Sequence, residues 1–86
     1  MLADKTHRAV CLQIVGLIRK ERERRGMSKY ALAERSGLSE QMIGYVERGM
    51  RNPSLETVVR MAAGLEIDLS QIVKRAFKNA SKRQSQ

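Results

Sequence analysis

The feature that most constrains the fold of this chain is a helical hydrophobic pattern, interrupted at short intervals by capping residues and glycines. Serine or aspartate precedes four of the apolar segments, at positions 28, 39, 54 and 68, and glycine ends the first three, at positions 26, 37 and 49. Apolar and polar residues nowhere alternate over a long run, and no Asn-Gly or Asp-Gly pair marks a hairpin. We therefore predict five helices and no strand: one from Asp4 or Thr6 to Arg25, then 29–35, 40–48 and 55–65, and a last helix that starts after Asp68.

The length and the cysteine content limit the architecture further. A chain of 86 residues buries only about 60% of the surface that its unfolded form exposes, so we predict a single domain over residues 1–80. The polar segment 81–86 is expected to be a flexible tail. One cysteine excludes a disulfide framework, and His7 and Cys11 alone cannot complete a tetrahedral zinc site. We therefore expect neither a metal nor a cofactor.

The formal net charge of +8 predicts attraction to a polyanion, either nucleic acid or an anionic membrane surface, unless the charge serves solubility alone. The longest uncharged run, 9–18, is about half of the ~20 residues that span a bilayer. It also lacks the cleavage site of a signal peptide, so a cytoplasmic protein without membrane contact is expected. A single histidine leaves no Ser/His/Asp or Cys/His set, and no phosphate-binding loop is present, so we do not expect an enzyme.

The segment 28–48 has the form of a helix-turn-helix, because two short capped helices are joined by a turn that contains Gly37. On a helical wheel, the second of these helices has one mainly apolar face. Its other face is polar or small, which is typical of a helix that reads base edges in the major groove but also of any solvated surface helix. The outward set is Glu40, Gln41, Gly44, Tyr45 and Arg48.

The same segment resembles the Cro/repressor type of helix-turn-helix, the broad XRE family of bacterial and phage regulators. The resemblance covers about residues 18–73 and implies an all-α fold, a compact five-helix, lambda-repressor-like bundle that binds double-stranded DNA, usually as a dimer. It rests on Leu32-Ala33, Gly37-Leu38-Ser39, Ile43, Glu47-Arg48-Gly49 and Asn52-Pro53-Ser54-Leu55.

The resemblance also implies roles for individual residues. Lys29 holds the place of a phosphate contact at the start of a helix, where the N-terminus also favours an anion. The placement of charge adds that Arg48 and Arg51 flank the end of the recognition helix, where the DNA backbone would pass, and these two residues and Asn52 are predicted to bind phosphate. Arg22 and Glu47 match an ion pair between the first and third helices. The base-reading positions are Ser39, Glu40, Gln41, Gly44 and Tyr45.

Three residues depart from the family pattern. Ala31 removes a capping box from the second helix, and Glu21 stands where an apolar residue is usual. Gly44 costs the recognition helix about 1 kcal/mol relative to alanine. Either its missing side chain lets the helix approach the base pairs closely, or the position is exposed and has drifted.

The last helix raises the question of oligomerisation. Its wide apolar stripe either covers the first helix within one subunit or forms a two-fold interface. The resemblance favours a homodimer through this helix, with a phage repressor, an antitoxin and a controller of a restriction-modification operon as possible roles. No small-molecule ligand is evident, and the alternative function is a protein-interaction module on the same fold. The predicted interface residues are Leu69, Ile72, Val73, Ala76 and Phe77.

Overall fold

The computed structural model describes residues 4–50 and 52–84 of the chain. Over these residues the chain forms five α-helices and no strand, as the capping pattern predicts. The helices are α1 (Asp4–Arg24), α2 (Lys29–Ser36), α3 (Glu40–Glu47), α4 (Leu55–Leu65) and α5 (Leu69–Gln84).

The helix starts follow from side-chain caps. The hydroxyl oxygens of Ser28, Ser39 and Ser54 each accept a hydrogen bond, 3.0 Å long, from the backbone N–H three residues later. Asp68 precedes α5 and its Oδ1 accepts the backbone N–H two residues later, that of Ser70, at 3.0 Å. Gly37 ends α2 with a φ of 70°, the left-handed conformation that a glycine adopts without strain.

The predicted ends of the first four helices agree with the structure to within one residue, but α5 is longer than expected. Its helix continues through Gln84, so the predicted tail 81–86 begins within the helix. No glycine or proline lies within residues 81–84, so no helix-ending residue interrupts α5 there. Ser85 and Gln86 lie outside the described residues.

The core is aliphatic and is formed by all five helices. Burying each of its large side chains stabilises the fold by about 1.5–3 kcal/mol. Helix α1 packs mainly against α5, and α2 packs mainly against α4. The largest fully buried side chains belong to Ile18, Leu32, Ile43, Val46, Met61 and Leu65.

Helix α4 is rotated about its axis, so that the side facing the core coincides only partly with the one that its helical wheel indicates. The helical wheel of residues 55–65 predicts one inward apolar arc, formed by Leu55, Val58, Val59, Ala62, Ala63 and Leu65. Leu55 and Val59 of this arc are 76% and 48% exposed, whereas Met61, which lies outside the arc, is fully buried. The close approach of α2 explains the rotation, because a Cβ on Gly64 would lie 3.0 Å from Leu32 Cδ1. The face around Gly64 therefore lies against α2, and the predicted apolar arc lies partly in solvent.

Candidate nucleic-acid interface

Helix α3 is fixed by one face and presents the other outward. Ile43 and Val46 have no exposed surface. On the opposite side, Gln41 is exposed and Tyr45 is half-buried. These side chains and their neighbours line a hollow of about 340 Å³ that we call the recognition surface. It is formed by Lys29, Glu40, Gln41, Gly44, Tyr45 and Arg48.

A buried ion pair sets the position of α3 relative to α1. Arg22 Nε donates to Glu47 Oε2 at 2.6 Å, and Arg22 Nη2 donates to Glu47 Oε1 at 2.8 Å. Arg22 Nη1 also donates to the carbonyl of Met27 at 2.8 Å, which ties in the segment that precedes α2. The hydrogen bonds with Glu47 raise the pKa of Arg22 above its ordinary value. One guanidinium of α1 thus holds both α3 and the segment that leads into α2.

Tyr45 contacts two other side chains of the recognition surface, one in the first turn of α3 and one at its C-cap. Gln41 Nε2 donates to the Tyr45 hydroxyl at 2.7 Å. The guanidinium carbon of Arg48 lies 5.6 Å from the centroid of the Tyr45 ring, which is a cation–π distance. The amide and the guanidinium are therefore both held by Tyr45 before any partner binds.

Within the described part of the chain, the other predicted DNA contacts are not among the residues that line this surface. Ser39 is exposed at the start of α3, with its hydroxyl engaged in the helix cap. Asn52 is exposed beside Pro53 and lines a separate groove, described below, rather than the recognition surface. Arg51 lies outside the described residues.

Sequence reasoning assigned no role to Tyr30, which follows Lys29 at the start of α2. Its side chain is 61% exposed, although aromatic residues are more often buried. The sequence could have indicated a role for Tyr30, because this aromatic residue lies outside the inward positions of α2 and directly follows Lys29, a predicted phosphate contact. Tyr30 can donate a hydrogen bond from its hydroxyl to a phosphate oxygen.

The end of α1 carries a second cluster of charges, around Glu21. Its carboxylate accepts hydrogen bonds from Arg24 Nη2 at 2.5 Å and from Arg25 Nε at 3.0 Å. These hydrogen bonds lower the pKa of Glu21 from 4.5 to about 2. Arg25 also donates to the backbone carbonyl of Leu65, so the cluster connects α1 with the end of α4. Glu21, which departs from the family's apolar pattern, is thus compensated by two cations.

A second concave surface, here called the apolar groove, lies among residues of α1, α4 and α5 and of the segment that precedes α4. It has a volume of about 250 Å³. Its lining is apolar apart from Asn52, in contrast to the recognition surface. It is formed by Cys11, Ile14, Val15, Asn52, Pro53, Leu55, Val58, Leu69 and Val73.

The predicted interface residues of α5 separate into two groups. Ile72 and Ala76 are buried within the subunit, at 5% and 0% exposure, because they pack in the core that α5 forms with α1. Leu69 and Val73 are half-buried and line the apolar groove, and Phe77, one turn beyond Val73, is 46% exposed. The stripe therefore covers the subunit's own core along one edge and leaves the other edge accessible.

Within 4–50 and 52–84, no three His, Cys, Asp or Glu side chains are grouped so that they could hold a metal ion. Over the same ranges, no helix has both the length and the apolar character that a bilayer crossing requires.

Comparison with known proteins identifies the family. A family model described as helix-turn-helix matches residues 18–72. The HTH-type transcriptional regulator Rv0474 of Mycobacterium tuberculosis is 39% identical over 59 residues, which are 69% of this chain and 42% of that protein. The chain therefore spans less than half the length of that relative.

Two restriction-modification controller proteins have similar structures. C.Esp1396I superposes with a TM-score of 0.76 at 26% identity, over 85% of this chain and 95% of that chain. C.AhdI from Aeromonas hydrophila superposes with a TM-score of 0.66 at 34% identity, over 72% of this chain and 94% of that chain. The chain thus belongs to the XRE-type helix-turn-helix family of DNA-binding transcriptional regulators, which are not enzymes.

Proposed function

We propose that the protein is a sequence-specific regulator that binds a palindromic operator in double-stranded DNA as a homodimer, with α3 in the major groove. The observation that carries this proposal is the recognition surface. It combines two cations, Lys29 and Arg48, with the hydrogen-bonding groups of Gln41 and Tyr45 on the outward face of the second helix of the motif. The positive charges attract the polyanionic duplex, and an amide side chain supplies discrimination between base edges.

Individual contacts follow from position and chemistry. Gln41 is the strongest candidate base reader, because an amide can pair with adenine N6 and N7 at once. Glu40 can accept from cytosine N4, and Ser39, Gly44 and Tyr45 are neighbouring contacts at the base edges. Lys29 at the start of α2 binds a phosphate, and Asn52 and Arg51 contact the backbone beyond α3.

The homodimer is proposed to form through the accessible edge of α5. Leu69, Val73 and Phe77 supply it, whereas Ile72 and Ala76 belong to the subunit's own core. A two-fold interface places two copies of α3 on one side of the duplex, and such dimers read half-sites about one helical turn apart. Two linked weak contacts then give the avidity that one recognition surface lacks.

Among the roles open to such a regulator, control of a restriction-modification operon has the most support. The two controller proteins are similar to this chain over nearly their whole length. A phage repressor and an antitoxin remain the alternatives, and the cytoplasmic location stays a prediction.

The test is selection of bound duplexes from a random DNA pool at about 150 mM salt, which suppresses non-specific binding. Enrichment of an inverted repeat with half-site centres about 10 base pairs apart is the expected result. If the folded protein enriches no sequence, it is not a sequence-specific regulator. The protein-interaction module then becomes the better hypothesis.

A further inference from the structure

The space that a side chain at position 44 would fill is taken by Arg48. A Cβ built on Gly44 would lie 3.1 Å from Arg48 Nη1 and 3.7 Å from both Cζ and Nη2. All three atoms belong to the guanidinium, which therefore lies over the Gly44 backbone. Gly44 is buried for this reason, although it is on the outward face of α3. Long side chains on a helix cover the turn before their own position, and Arg48 does so here.

Two further contacts hold the guanidinium in this place. Its carbon lies 5.6 Å from the Tyr45 ring centroid, and its Nε lies 3.4 Å from the sulfur of Met50. Among the ion pairs of the described residues, none involves Arg48 with a carboxylate. Stacking and sulfur contacts leave the Nη groups able to donate to a ligand.

The position of this guanidinium differs from the one that a backbone contact would use. A phosphate-binding arginine at the end of α3 would extend away from the helix, towards the edge of the groove. Arg48 instead folds back over the centre of the recognition surface and lines the same hollow as Gln41. The middle of an inserted recognition helix faces base edges rather than phosphates.

We infer that Arg48 is a specificity-determining residue that reads a guanine, and that Gly44 and Tyr45 are the residues that position it. Arginine donates two parallel hydrogen bonds to guanine O6 and N7, and lysine cannot reproduce this fork although it carries the same charge. This inference rests on the proposed function, because it requires α3 to enter the major groove. It also replaces the two earlier explanations of Gly44 with a third, in which the missing side chain makes room for the arginine.

The test repeats the random-duplex selection with three variants beside the wild-type protein. In Arg48→Lys the charge is kept and the fork is lost. We expect this variant to lose the preference for guanine at one base pair per half-site and to keep the rest of the motif. The lost preference is the ratio of affinities for guanine and for another base at that position, roughly 5- to 150-fold. Gly44→Met fills the space over the helix and is expected to lose the same base pair. Lys29→Gln is the matched control, for which we expect weaker binding to every sequence and an unchanged motif.

The outcomes separate this inference from the proposed function. If wild-type protein enriches an operator and Arg48→Lys enriches the same operator with uniformly lower affinity, Arg48 binds phosphate and the inference is wrong. A change confined to a base pair that is not G·C also overturns it. If the wild-type protein itself enriches nothing, the proposed function fails first and the inference falls with it. Circular dichroism melting of each variant shows that α3 is folded, and a Gly44→Met that is folded and reads the same guanine removes the positioning role.

Discussion

Two glycines inside helices differ in what surrounds them, and this difference decides the effect of a methyl group. A Cβ on Gly16 in α1 would meet no heavy atom within 4 Å, whereas one on Gly64 in α4 would lie 3.3 Å from the backbone nitrogen of Ser36. We expect Gly16→Ala to raise the free energy of unfolding by about 0.8–1 kcal/mol, because fixing an alanine in a helix loses less backbone conformational entropy than fixing a glycine. Gly64→Ala is expected to lower it by about 1–3 kcal/mol, because α2 must move away. Urea unfolding at pH 7 measures both, and stabilisation by both variants would show that α2 and α4 do not pack as closely as described.

The buried pair of Arg22 and Glu47 allows a second prediction for single residues. Glu47→Ala leaves a buried guanidinium without its carboxylate, which costs about 3–5 kcal/mol of unfolding free energy. The matched control is Glu56→Ala, which breaks an exposed pair with Arg60 and is expected to cost less than about 1 kcal/mol. Equal urea midpoints for the two variants would mean that the buried pair does not hold α3 in place.

At the scale of the helical element, the end of α1 makes stability depend on pH through Glu21. Its pKa is about 2 in the folded protein and 4.5 ordinarily, so folding favours the ionised carboxylate. The stabilisation is therefore complete above pH 4.5 and is lost as the pH falls towards 2. We expect Glu21→Gln to lower the urea midpoint at pH 7 and to have little effect near pH 2. The matched control is Glu34→Gln, which removes an exposed carboxylate from α2. If the urea midpoints of wild type and Glu21→Gln differ as much at pH 2 as at pH 7, the ionised carboxylate of Glu21 is not the source of the stabilisation.

The elements themselves could be predicted from the sequence because their caps are local. Ser28 and Ser39 accept backbone hydrogen bonds within their own first turns, so residue type and spacing were sufficient to locate the starts of α2 and α3. The inward face of α4 could not be predicted from its wheel, because Gly64 lets α2 approach on a side that the wheel does not favour.

For the recognition surface, the wheel of α3 was sufficient to separate the inward from the outward residues. It could not show that Arg48 folds back over Gly44, because the path of a long side chain depends on the ring and the sulfur that it meets. The apolar stripe of α5 likewise could not show that Ile72 and Ala76 are unavailable for an interface, because their burial against α1 depends on residues more than 50 positions away.

At the scale of the whole molecule, the accessible edge of α5 predicts the assembly that reaches two half-sites. An apolar edge that continues from the groove along Leu69 and Val73 to Phe77 is costly to leave in water and is removed from water by a two-fold contact. We expect sedimentation equilibrium to give twice the 9.8 kDa chain mass for wild-type protein. Phe77→Glu places a carboxylate on this edge and is expected to give the monomer mass with an unchanged circular dichroism spectrum, because Phe77 is already 46% exposed.

The matched control for the assembly is Gln71→Glu, which introduces the same charge on an exposed position of α5 that faces away from this edge. Because both variants lower the net charge equally, any general electrostatic effect on DNA binding is common to them. We expect Gln71→Glu to remain dimeric and to bind the selected inverted repeat like wild type, and Phe77→Glu to bind it no better than a single half-site. A Phe77→Glu protein that is folded and still dimeric would place the two-fold interface elsewhere, and the apolar groove would then need a different partner.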